Sequence, residues 1–117
     1  MNAQPSVHAT GSGPCLTARI SGTMDYETAA FFRNRLLDEV TGDRRYVVLD
    51  LSAVSFCDSS GLNVLLWAWR QAAEAGAVLV LACVPPALQR TLTRTGVDSL
   101  LRVYGTVAEA ENAITAE

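Results

Sequence analysis

Residues 46–66 read YVVLDLSAVSFCDSSGLNVLL, and this segment decides the fold. Its opening, YVVLDL (46–51), is nearly all apolar, rich in β-branched residues and too short for a helix, which is the pattern of a strand covered on both faces. Its end starts a helix. From Ser60 to Ala75 the apolar residues Leu62, Leu65, Leu66, Trp69, Ala72 and Ala73 recur at i, i+3, i+4 and i+7, and Gly76 stands where a left-handed C-terminal residue belongs. Between strand and helix lie Asp58, Ser59, Ser60 and Gly61, so two hydroxyls sit beside unpaired amides and the positive end of a helix dipole.

Working outward, the same two periods alternate along the chain. Leu16, Ala18 and Ile20 alternate with Cys15, Thr17 and Arg19 as in a half-buried strand, which Gly22 ends. Asp25 precedes a helical repeat of Ala29, Phe32, Leu36 and Val40, and its carboxylate suits the amides of a first turn. Thr41-Gly42-Asp43 closes that helix. Beyond Gly76, VLVLACV (78–84) is a second buried strand ended by Pro85-Pro86. A short helix carrying Leu88 and Leu92 follows and stops at Gly96, Leu100 to Tyr104 form a last strand, and Thr106 with Glu109 makes a capping box for a helix burying Val107, Ala110 and Ile114. For residues 1–13 a flexible segment and a short strand at Val7–Ala9 are both open, with one domain over 14–117. Strands alternating with helices imply right-handed crossovers and an α/β fold with a mostly parallel sheet of four to five strands and about four helices.

Composition narrows the function. A chain of 117 residues is one domain's length, and its apolar runs fall short of the ~18 residues that span a membrane. The first residues lack a basic segment followed by an apolar one, so a cytoplasmic protein without membrane insertion is expected. The net charge is −3 and all nine basic residues are scattered arginines, which argues against a nucleic-acid surface. Cys15, Cys57 and Cys83 stand far apart and the single histidine is His8, so no metal site, disulfide framework or cofactor is indicated.

The Asp-Ser-Ser-Gly turn admits three roles. A lone serine before a helix is usually its cap, but with two serines one hydroxyl stays free, and the glycine leaves room for something to approach. A nucleophilic serine needs a general base, and neither a nearby histidine nor a G-x-S-x-G elbow is present. A phosphate-cradling loop needs a lysine, which the chain lacks. No catalytic residue is assigned, and an enzyme is not expected.

Gly22-Thr23-Met24-Asp25, the run VVLDLSAVSFCDSSGLNVLL and the tail LVLACVPPALQRTLTRTGVDSLLRVYGTVAEA together resemble the STAS-domain anti-sigma factor antagonists of bacterial regulatory switches, over Leu16 to Ile114. The resemblance implies the STAS fold and a protein that is a substrate and switch. In such proteins the serine directly after the aspartate of D-S-S-G-L, here Ser59, is phosphorylated by a partner that is both serine kinase and anti-sigma factor. The unphosphorylated antagonist binds that partner and frees a sigma factor, and a serine phosphatase restores it. The alternative is a non-phosphorylated STAS scaffold in a stressosome-like or transporter-associated complex. A monomer or weak homodimer is expected in either case.

The choice between Ser59 and Ser60 rests on the resemblance; the residues alone leave it even. Ser60 is then the expected capping or first-turn hydroxyl, and Asp58 the orienting or recognition group. With Leu62, Leu65, Leu66 and Trp69 facing the core, Val64 and Trp67 point away on the same helix, although packing of Trp67 under a neighbouring element is equally open. The expected partner surface comprises Asp25, Asp58, Ser59, Ser60, Gly61, Asn63, Val64 and Trp67.

Overall fold

The computed structural model describes residues 4–116. Five strands form one sheet in sequence order: β1 (Ser6–Ser12), β2 (Cys15–Met24), β3 (Tyr46–Cys57), β4 (Val78–Ala82) and β5 (Val103–Tyr104). The β1–β2 hairpin is antiparallel, and every later pair is parallel. Three helices make the parallel crossovers: α1 (Ala29–Val40), α2 (Ser59–Glu74) and α3 (Pro86–Thr95), the last followed by a 3₁₀ turn over Val97–Ser99. Right-handed crossovers that always step the same way across a sheet put their helices on the same face. The core agrees, because Phe32 and Leu36 of α1, Leu65 of α2 and Leu92 of α3 share one cluster with Leu49, Leu51 and Leu81 of the sheet. The other face is left to α4 (Val107–Thr115), whose Ala110 and Ile114 pack with Cys15, Val48, Val80 and Ala82. Alternate residues of β3 and β4 therefore enter different cores, which is why both runs read as continuously apolar.

Several expectations shift. Of the two alternatives for the N-terminal segment, the strand is found, and it is longer than Val7–Ala9; it is tied down by Arg35, which donates to the Val7 carbonyl at 2.7 Å. Gly22 does not end β2. At φ 100° it takes a left-handed conformation, with the chain at Pro5 so close that an added Cβ would lie 3.2 Å from the Pro5 Cα, and the strand continues to Met24 past a register shift. β3 runs on to Cys57, and β2 skips residues of β3 at two irregularities, so the core-facing side chains go from Leu51 to Val54, three apart instead of two. β4 ends at Ala82, because Cys83 has φ 57° and turns the chain toward Pro85. β5 is only Val103–Tyr104, and Leu100 is exposed.

Candidate functional site

Sheet geometry places the site. β3 delivers Cys57 and Asp58 at the carboxyl end of the parallel strands, the edge where open α/β sheets present their functional groups. β2 holds the turn from beside it: the Asp58 amide donates to the Met24 carbonyl at 3.1 Å. Helix α2 then starts so close to β2 that a Cβ on Gly61 would lie 2.5 Å from the Met24 carbonyl oxygen and 2.7 Å from the Cys57 Sγ. The room that Gly61 leaves is thus taken by the protein's own backbone.

Asp58, not Ser60, caps the helix. Its Oδ1 accepts from the Ser60 amide at 2.8 Å and from the Gly61 amide at 3.1 Å. The carboxylate is a stronger acceptor than a hydroxyl for amides at the positive end of a dipole, and its extended backbone, φ −96° and ψ −167°, is the conformation a cap needs. Both serines are released from that duty. Among the described residues neither hydroxyl makes a hydrogen bond. Ser59, the first residue of α2, is exposed, whereas Ser60 is half-buried.

The remaining expected contacts separate into surface and core. Asn63 is exposed, and Asp25 is half-buried in the turn before α1. Asp25 does not cap α1 itself. Its Oδ1 accepts from the Thr28 amide at 3.1 Å while Thr28 Oγ1 accepts from the Asp25 amide at 2.9 Å, a reciprocal lock on the turn Asp25–Thr28, and α1 begins one residue later. Val64 was expected on the surface and is fully buried, Gly61 is buried, and Trp67 is half-buried against the core. The cause is a helix turned by about one residue from the reading based on bulk. Small residues let α2 approach the sheet, so the buried stripe is Gly61, Leu62, Val64, Leu65, Ala68 and Ala72, while Leu66 and Trp69 pack at its flanks and Ala73 is exposed.

Two exposed aromatics at this edge escaped sequence reasoning. Tyr26, at the tip of the Asp25–Thr28 turn, is 83% exposed, and Phe56 is 57% exposed. Tyr26 lies between Asp25 and Glu27, and that polar setting was the available signal. Phe56 gave none, since alternation from the inward Val54 would turn it inward, and only the irregularity at Ser55 turns it out. Each aromatic borders a cleft. One, of about 520 Å³, lies between α1 and the start of α2 and is lined by Tyr26, Arg33, Ser60 and Asn63; the other, of about 190 Å³, lies between the end of β3 and α3 and is lined by Phe56, Cys57, Pro85 and Leu88.

The chemistry available here is that of a presented hydroxyl. Burial, helped by the neighbouring Asp58 carboxylate, pushes the Cys57 thiol from 9.0 to about 12, so it stays protonated at neutral pH. His8, the one histidine, lies exposed on the edge strand β1. Among the described residues no group of three or more His, Cys, Asp or Glu could hold a metal ion, and no helix is long and apolar enough to cross a membrane.

Fold and site together define a small α/β domain that offers a serine on an open surface at the head of a helix. The family model for the STAS domain matches residues 6–110, and the chain belongs to that family. It is 31% identical over 91 residues to a protein named anti-sigma F factor antagonist from Paenibacillus polymyxa, covering 76% of this chain and 77% of that protein. Among solved structures, an anti-sigma factor antagonist from Mycobacterium paratuberculosis superposes with a TM-score of 0.87 at 24% identity, over 98% of this chain and 99% of that one. The Bacillus cell fate determinant SpoIIAA in its phosphorylated form superposes with a TM-score of 0.70 at 17% identity, over 93% of this chain and 99% of that one. These last two similarities concern the fold.

Proposed function

We propose that this protein is a cytoplasmic anti-sigma factor antagonist: unphosphorylated, it binds an anti-sigma factor that is also a serine kinase, and phosphorylation of Ser59 switches it off until a serine phosphatase restores it. The observation that carries this reading is the exposed Ser59 hydroxyl, freed by the Asp58 cap, in a chain similar to a named antagonist. The protein acts as substrate and switch, not as an enzyme.

Phosphate at this position acts on the contact and not on the fold. It adds about −1.5 to −2 charges. The α2 N-terminus attracts that charge by ~0.3–1 kcal/mol, and the adjacent Asp58 carboxylate opposes it by a similar amount. The two effects nearly cancel within the domain. At a protein interface, burying an unpaired dianion costs several kcal/mol, and each ~1.4 kcal/mol is tenfold in affinity.

Phosphopeptide mass spectrometry across Val54–Arg70, on protein recovered from its native cells with its co-purifying partners, tests this directly. Phosphate on Ser59 together with an ATP-binding anti-sigma partner is the expected result. Absence of phosphate under both growth and stress, with a transporter or scaffold protein co-purifying instead, would replace the switch with the scaffold role.

A further inference from the structure

Ser59 lies between residues that line two different clefts, Cys57 in one and Ser60 in the other. Helix α2 runs between α1 and α3, because its strands β3 and β4 lie between β2 and β5 in the sheet. The cleft on the α1 side reaches the start of α2 through Ser60 and Asn63 and carries Tyr26; the cleft on the α3 side ends at Cys57, the last residue of β3 and two before Ser59, and carries Phe56. The described residues contain only four exposed large hydrophobic side chains, and these are two of them. Single exposed apolar residues are ordinary, but two aromatics in clefts that start one and two residues from the same exposed serine suit interface anchors around a central contact.

We propose that Tyr26 and Phe56 are paired anchors for the kinase that modifies Ser59, one on each side, and that engaging both closes the partner over the serine. This rests on the reading of Ser59 as a phosphorylation switch. A kinase must surround the hydroxyl it modifies, so its contact surface is continuous with both clefts. Aromatic anchors exclude water from what lies between them. Ser59 is therefore desolvated in the complex, and that desolvation makes a phosphate there intolerable. The anchors, besides adding affinity, set how strongly phosphorylation is felt.

The test uses the full chain carrying benzoylphenylalanine at position 26 or 56, irradiated in its native cells, with the cross-linked protein identified by mass spectrometry, purified and used as the titrant. One and the same ATP-binding protein is expected at both positions. Tyr26→Ala and Phe56→Ala each weaken its binding by ~10-fold or more, while circular dichroism spectra stay unchanged because both side chains are exposed. Ser59→Asp, standing in for the phosphate, weakens binding by ~100-fold in the otherwise unaltered protein and by less than ~10-fold once both aromatics are removed. Affinity within about twofold of wild type for both alanine variants, or an equal Ser59→Asp penalty with and without the aromatics, overturns the anchor proposal alone. If Ser59→Asp binds as tightly as Ser59 itself, the switch reading falls and the proposal with it.

Discussion

At the scale of single residues, Asp58 and Gly61 set the geometry of the turn and leave Ser59 free to serve it. Replacing Asp58 by alanine removes the acceptor of two amides and should cost ~0.5–2 kcal/mol, read as a lower midpoint in urea, while Asp58→Asn keeps most of the stability. Gly61→Ala sets a Cβ 2.5 Å from the Met24 carbonyl oxygen, in backbone that cannot yield cheaply. We expect a loss of ~1–3 kcal/mol and a Tm lower by about 4 °C or more. Cys57 makes stability depend on alkaline pH. The folded state holds its proton up to about 12 while the unfolded chain releases it near 9.0, so folding stability falls as pH rises through that window. The Tm of Cys57→Ala should consequently fall less than that of wild type between pH 9 and pH 11, and identical profiles would refute the assignment.

At the scale of elements, helix α4 is the part most open to independent loss. Among the described residues it is the helix that covers the second face of the sheet, anchored by Ala110 and Ile114 and by the Thr17 hydroxyl donating to Glu111 Oε2 at 2.9 Å. Ile114→Ala should cost ~2–5 kcal/mol, and hydrogen exchange should show the α4 amides losing protection before those of α2. If the α2 amides open first, the two cores are not separable. The same scale shows where patterning succeeded. The buried stripe of α1, Ala29, Phe32, Leu36 and Val40, is the one its spacing implies, and Thr106 caps α4 by accepting from the Glu109 amide at 3.0 Å. For α2 the stripe was misplaced by about a residue, because the size of a side chain does not say which face must come nearest the sheet.

At the scale of the whole molecule, β2 and β3 hold the turn that carries Ser59, and the proposed charge there should leave the fold intact. Ser59→Asp should leave the circular dichroism spectrum unchanged and move stability by no more than ~0.5 kcal/mol, since the dipole of α2 and the Asp58 carboxylate oppose each other. A large shift in Tm would mean that the switch works through the fold. The sequence by itself determined the alternation of strands and helices, the single domain and the Asp-Ser-Ser-Gly turn at a strand-to-helix junction, because periodicity, capping and glycine placement act over a few neighbouring residues. Only the tertiary structure decided that Asp58 and not a serine is the cap, that Val64 is core, that Gly61 makes room for Met24, and that Phe56 and Tyr26 stand exposed in two clefts that begin at Cys57 and Ser60. The cap is a bond over two and three residues for which the sequence offered competing acceptors; the other outcomes depend on how closely β2 approaches α2 and on where β2 and β3 slip in register, contacts between residues some thirty positions apart that no local pattern encodes.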